Sequence, residues 1–289
     1  MNSLSNPPGL LGSHDYLELA FSTNAFKDYT LVGAIEEIKR IGYSGVEILG
    51  DIPHAYPPSF GDDQLKTTLN ALSSCDMQIS NLNAFTLYAI GDVYHPSWIE
   101  NELHARQARV QHTIDCLRMA RKLGARNIST EPGGPMPASV DLPTISKLFS
   151  SGVMAAAKVA ESEGVKLLIE PEPGLLLENS IQFRQFMKGI DSDFVKLNFD
   201  IGHFYCVGED PAILVSELSE FIEHFHLADI AHSRVHNHLI PGKGAIDFRR
   251  VFDAIDAIGY KGFVTVELYP YRDNPTFAAQ QAYDYLKSI

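Results

Sequence analysis

Short apolar runs alternate with amphipathic stretches along most of the chain, and no other feature constrains the fold as strongly. Residues 16–21, 45–49, 77–85, 126–130, 166–169, 195–199, 222–225 and 262–266 form these runs. Runs this short read as strands, and being apolar on both faces they read as buried parallel strands. The segments between them have helical spacing. In residues 30–41 the apolar positions are Leu31, Ala34, Ile35, Ile38 and Ile41, and Gly42 then supplies a stop. Further helices are expected over 62–75, 99–123, 142–163, 180–189, 211–220, 246–258 and 277–289. Strict strand–helix alternation at this length predicts an α/β fold, a single (β/α)8 TIM barrel. A doubly wound open sheet is the competing architecture, and it usually carries a glycine-rich phosphate turn after its first strand. Residues 21–26, Phe-Ser-Thr-Asn-Ala-Phe, contain no glycine, so no dinucleotide site is expected.

Length and charge narrow the function. The chain has 289 residues, enough to bury a large core without staples. Residues 1–14, rich in Ser, Asn, Pro and Gly, are expected to form a loose N-terminal arm, and residues 15–289 one catalytic barrel domain. The formal net charge of −13 disfavours phosphate backbones, so no nucleic-acid partner is expected. Cys75, Cys116 and Cys206 are far apart and odd in number, which fits reduced thiols in a cytoplasmic protein. No apolar run approaches the ~20 residues that span a bilayer, and the opening residues lack the basic and apolar regions of a secretory signal.

The stretch 195–229 carries the chemistry. VKLNF is followed at once by Asp200 and then by His203, and IEHF by His226 and Asp229. Glu170, Asp200, His226 and Glu267 each follow directly on the apolar runs of strands five, six, seven and eight. In a closed barrel those strand ends are neighbours on the carboxyl rim, where α/β barrels assemble their sites. Three carboxylates and an imidazole converging there are costly without a cation. The mixed oxygen and nitrogen set suits one divalent ion, whether Mn, Mg, Co, Fe or Zn. A strand-end carboxylate taken alone more often caps a helix or meets solvent, but four on consecutive strands outweigh that reading.

The motifs IEPEPG, DIGH, HFHLAD followed by PGKGAIDF, and VTVELYP resemble the sugar isomerases and epimerases of the xylose-isomerase-like TIM-barrel superfamily. Tagatose 3-epimerase, inosose dehydratase and endonuclease IV are relatives in that superfamily. The resemblance implies that Glu170, Asp200, His226 and Glu267 hold one divalent metal. It also implies that Glu170 and Glu267 act as the acid/base pair, and that His203 and Arg234 hold substrate oxygens. A metal on a substrate carbonyl and its neighbouring hydroxyl acidifies the C–H between them and favours an enediolate. Return of the proton on the other face is epimerisation; loss of a β-hydroxyl is dehydration. The expected substrate is a small sugar or related polyhydroxy carbonyl compound, and a homodimer is a family-level expectation. Ketose 3-epimerases carry a second Glu six residues after the strand-five ligand, where this chain has Leu176.

Endonuclease IV offers the contrasting reading. His236 and His238 stand where that relative has an Asp-x-His pair, and Glu131 stands where it has a histidine ligand. A second metal on Glu131, His203 and His238 is therefore an alternative to the simpler reading of His236 and His238 as loop residues. Asn81 and Asn83 at the third strand, together with the acidic charge, argue against a three-metal phosphodiesterase. Glu172 is expected to support the site or, more simply, to be exposed. His95, His104 and His112 are expected on a wet helix face, and 241–244 in a turn. Trp98, Phe85 and Tyr88 are the candidate walls of a sugar pocket.

Overall fold

The computed structural model describes residues 17–137 and 141–289, so the expected arm, residues 1–14, lies outside the described residues. Eight parallel strands close into a barrel in the order of the sequence. They are β1 (Glu18–Ser22), β2 (Gly45–Leu49), β3 (Gln78–Asn83), β4 (Asn127–Thr130), β5 (Lys166–Ile169), β6 (Val195–Asp200), β7 (Ile222–Leu227) and β8 (Phe263–Val266). The ring shuts where Phe21 of β1 pairs with Val266 of β8. Around it run α1 (Leu31–Ile41), α2 (Asp62–Ser74), α3 (Leu103–Leu123), α4 (Leu142–Glu163), α5 (Ser180–Met187), α6 (Ile201–Cys206), α7 (Pro211–Glu217), α8 (Phe248–Ala257) and α9 (Pro275–Lys287).

The predicted boundaries hold to within a few residues, and local chemistry explains them. Thr30 caps α1 by accepting the Gly33 N–H at 3.1 Å, and Gly42 at φ 124° ends it in a conformation that costs a side chain dearly. Asp141 caps α4 through the Thr144 N–H. The third helix starts at Leu103 rather than at residue 99, because the preceding loop is held elsewhere. Trp98 N donates to Gly133 O, and Arg106 ties back the carbonyls of Glu100 and Asn101. The short α6, not anticipated in the sequence, starts where Asp200 accepts the His203 N–H.

Two cores result. The outer one packs strands against helices: Phe149 stacks on Phe186 with centroids 4.7 Å apart and meets Trp98 edge-on at 5.9 Å. Trp98 is thereby buried in this core. The inner core is polar, which corrects the expectation of strands apolar on both faces. His224 on β7 bridges Asn198 on β6 and Thr265 on β8, each at 2.7 Å. Thr265 then donates across the barrel to Ser80 on β3, at 2.9 Å. Asn127 donates to Asn81, which donates in turn to Glu47 and Ser129. Buried polar groups cost stability unless paired, and this network pairs them.

Candidate metal centre

The closed ring brings Glu170, Asp200, His226 and Glu267 together, with one donor atom of each within 4.8 Å of the others. All four are buried. Register does the placing: Asp200 sits opposite His226 in the β6–β7 pair, and Glu267 follows Val266, the last residue of β8. Glu170 Oε1 lies 2.8 Å from His226 Nδ1. Glu267 Oε1 accepts from Asn24 Nδ2 at 2.8 Å and Asn83 Nδ2 at 3.2 Å, while its Oε2 lies 3.9 Å from His226 Nδ1. Asp200 spends Oδ1 on capping α6.

Two atoms are left over. Glu170 Oε2 and Asp200 Oδ2 are buried without a hydrogen-bond partner. Orphaned, buried carboxylate oxygens within one cluster are expensive, and a divalent cation relieves that cost. The residues therefore fit such an ion, with three oxygen donors and one nitrogen. Burial drives the Glu170 and Glu267 carboxyls above their usual range. For Asp200 burial acts the same way, but His203, His238 and His226 outweigh it and hold the group at about 2. Burial works against a charged His226 as well, yet Glu170 and Glu47 on its two sides keep it well above the ordinary imidazole value.

Glu47 is a site residue that the sequence did not disclose. It is fully buried in the middle of β2, and its Oε2 lies 2.5 Å from His226 Nε2. A carboxylate inside a strand run buried on both sides must have a partner, and that was the available signal.

A second group of imidazoles lies beside the first site. His203, His236 and His238 offer nitrogens within 4.8 Å of one another. His203 Nδ1 faces Pro171 O at 2.9 Å and His238 Nδ1 faces Glu267 O at 2.9 Å. Each Nδ1 must donate to its carbonyl, so each Nε2 carries a lone pair. Those lone pairs meet: His238 Nε2 is 3.4 Å from His203 Nε2 and 3.2 Å from His236 Nε2.

Other expectations fall differently. Glu131 does not join these histidines. It is buried against Arg109, with 3.4 Å from Arg109 Nε to its Oε1. Arg234 does not reach the site: it is exposed, donates to Tyr205 O at 2.9 Å, and stacks over the Tyr205 ring at 4.5 Å. The extra residues between it and His226 carry it outward. Asp229 organises a loop: its carboxylate accepts the N–H groups of Ile230, Gly242, Gly244 and Ile246. His112 is buried rather than wet, beside Cys116 and Tyr56. Glu172 is buried rather than exposed and accepts from Tyr94 Oη at 2.7 Å.

The four-residue cluster opens into a pocket of about 350 Å³, walled by Phe85, Tyr88, Tyr94 and Tyr269 and lined also by Glu172, His203 and Lys27. Phe85 and Tyr88 thus stand where the sequence suggested, and Trp98 does not. Among the described residues no helix is long and apolar enough to cross a membrane.

Known proteins of related sequence and shape share this architecture. The chain is 28% identical over 159 residues to an inosose dehydratase of Clostridium beijerinckii, a match covering 49% of the chain and 53% of that protein, about half of each. Its fold is similar to that of a D-tagatose 3-epimerase-like protein (TM-score 0.76, 20% identity, 94% of this chain and 99% of the other). It is equally similar to the IOLI protein solved with a binding zinc atom (TM-score 0.76, 19% identity, 93% and 96%). A family model described as xylose isomerase-like TIM barrel matches residues 35–289, and with the closed eight-stranded ring this makes the chain a member of that family.

Proposed function

We propose that the chain is a divalent-metal-dependent isomerase or epimerase of a small sugar or related polyhydroxy carbonyl compound. The observation that carries this reading is the pair Glu170 and Glu267. Both border one ion position at the floor of the pocket, as an acid/base pair for proton transfer beside that ion requires. Glu170, Asp200, His226 and Glu267 would hold the ion. Bound there, a divalent ion would supply polarisation of a substrate carbonyl and offset the charge left when the neighbouring C–H loses its proton. One of the two glutamates removes that proton and the other returns it on the opposite face. Asn24 and Asn83, both donating to Glu267 Oε1, leave Oε2 as the atom that works. Tyr88, Tyr94 and Tyr269 line the pocket and present ring faces and hydroxyls suited to a sugar.

Incubation with a panel of ketoses and inososes in D₂O tests this. The wild type should exchange a substrate C–H for C–D, and Glu267→Gln should keep the fold and lose at least ~10²-fold in exchange rate. Wild-type exchange in that variant would remove Glu267 from the chemistry.

Dehydration is the second reading, favoured by the similarity to inosose dehydratase. It uses the same proton removal and then expels a β-hydroxyl in place of returning the proton. Net loss of water and a new enone absorbance in the same assay would select it over epimerisation.

A second ion also belongs to the proposal, on His203, His236 and His238 rather than on Glu131. The lone pairs of His203 and His238 meet with His236 Nε2 close by, which favours a cation among the three. Elemental analysis should give two ions per chain, one lost in His226→Ala and the other in His236→Ala. A single ion lost only in His226→Ala would leave the three histidines to substrate hydroxyls.

A further inference from the structure

His226 is shared by two groups of side chains, and an ion can use only one of its nitrogens at a time. Nδ1 lies 2.8 Å from Glu170 Oε1 and 3.9 Å from Glu267 Oε2, which group with Asp200, whereas Nε2 lies 2.5 Å from Glu47 Oε2, which groups with His224. The hydrogen bonds decide between them. On the Nε2 side every donor and acceptor is occupied. His224 uses Nδ1 on Asn198 Oδ1 and Nε2 on Thr265 Oγ1, each at 2.7 Å. Glu47 Oε2 accepts from Asn81 Nδ2 at 2.7 Å, and Oε1 from Asn83 Nδ2 at 3.1 Å. No orphaned atom there faces a cation. Both orphaned carboxylate oxygens, Glu170 Oε2 and Asp200 Oδ2, belong to the Nδ1 side.

The ring proton follows from the same choice. Nδ1 faces Glu170 Oε1 at 2.8 Å and Asn198 at 3.1 Å, and an ion taken up on that side uses the Nδ1 lone pair. A neutral ring then carries its proton on Nε2, directed at Glu47 Oε2, 2.5 Å away.

We infer that Glu47 is the positioning carboxylate of the metal centre: it fixes His226 as the Nε2–H tautomer, turning the Nδ1 lone pair to the ion, and is not itself a ligand. A carboxylate behind a ligating imidazole orients the ring and raises its basicity, and losing it typically weakens metal binding 10–100-fold. Glu47 is in turn held by Asn81 and Asn83 from β3, and Asn83 Nδ2 also reaches Glu267 Oε1 at 3.2 Å. The same amide thus braces the positioning carboxylate and one ligand. The inference rests on the reading that Glu170, Asp200, His226 and Glu267 hold an ion.

The test is Co²⁺ titration of the metal-stripped full chain, following the ion whose absorption disappears in His226→Ala. In Glu47→Gln the affinity for that ion should fall 10–100-fold, with the d–d spectrum unchanged in shape because the ligands are the same. An unchanged affinity would overturn the positioning role. A changed spectrum, with Co²⁺ retained in Glu267→Gln, would overturn it by making Glu47 a ligand. No Co²⁺ bound by the wild type would instead sink the metal centre itself. A measurement on unmutated protein covers a Glu47→Gln chain that does not fold. In Zn²⁺-loaded, ¹⁵N-histidine-labelled wild type, His226 should show a protonated Nε2 and a metal-shifted Nδ1. The reverse assignment would overturn the inference.

Discussion

Glu131 follows β4 just as Glu170 follows β5 and Glu267 follows β8, yet it ends in a different environment. It is fully buried beside Arg109, and neither of its oxygens has a hydrogen bond. Burial pushes its carboxyl up to about 8, against the pull of Arg109. The folded state then holds a proton that the unfolded chain releases near its ordinary value of 4.5. Stability from this group is therefore fully present below that value and is lost as pH rises toward 8. In Glu131→Gln, which stays neutral, Tm should fall less between pH 5 and pH 8 than in the wild type. Parallel curves would mean that Glu131 is ionised against Arg109 throughout. The comparison also shows what was legible at this scale. A carboxylate or imidazole following directly on an apolar run found Glu170, Asp200, His226 and Glu267. Glu131, offered by the endonuclease IV resemblance, and Asp229 have partners that are distant in sequence or are backbone amides, which no side-chain pattern reveals. The strand-end rule passed over Glu47, because Glu47 sits inside a strand.

The loop after β7 is built around one side chain. Asp229 accepts four backbone N–H groups and pairs with Leu239 through both main-chain hydrogen bonds, 2.9 and 2.8 Å. This is why residue 244 is a glycine: a side chain there would sit 2.3 Å from Asp229 Oδ1, while Gly242, at φ 85°, is held against the Tyr285 ring. The sequence read 241–244 as a turn, which it is, and noted Asp229 after the β7 run without assigning it a partner. Asp229→Ala strands four donors, and hydrogen bonds to a charged acceptor are the strong kind. The expected cost is roughly 3 kcal/mol or more, measured by urea unfolding, with faster proteolysis within 230–245. A loss under 1 kcal/mol would mean that water replaces the carboxylate. His238 is the neighbour of Leu239, so the same variant should also lose the ion assigned to the three histidines. The helices were read well because their caps and apolar spacing are local. The start of α3 was missed because Gly133, in the loop after the neighbouring β4, decides where the preceding loop lies.

At the scale of the molecule, the alternation of runs was enough to predict a closed ring. The polar interior was not predicted: Asn81, Asn198, His224 and Thr265 are unremarkable one by one and become a network only when the ring closes. An ion at the centre should stabilise the whole barrel, since it binds the folded ring and not the open chain. At a hundredfold excess over its dissociation constant the gain is about 2.7 kcal/mol, so chelation should lower Tm measurably, and less in His226→Ala. Equal Tm values with and without chelator would count against a bound ion. The ring has one more consequence, and it concerns time. β8 is the last strand of the ring to be made, and Glu267, which follows it, is clasped by Asn24 from just after the first strand. Until those two segments meet there is no complete site, however well the middle of the barrel has formed. Under the proposed function, a chain still being synthesised would therefore neither hold the ion at full strength nor act on a substrate; competence would come in one step, when the beginning and end of the barrel join.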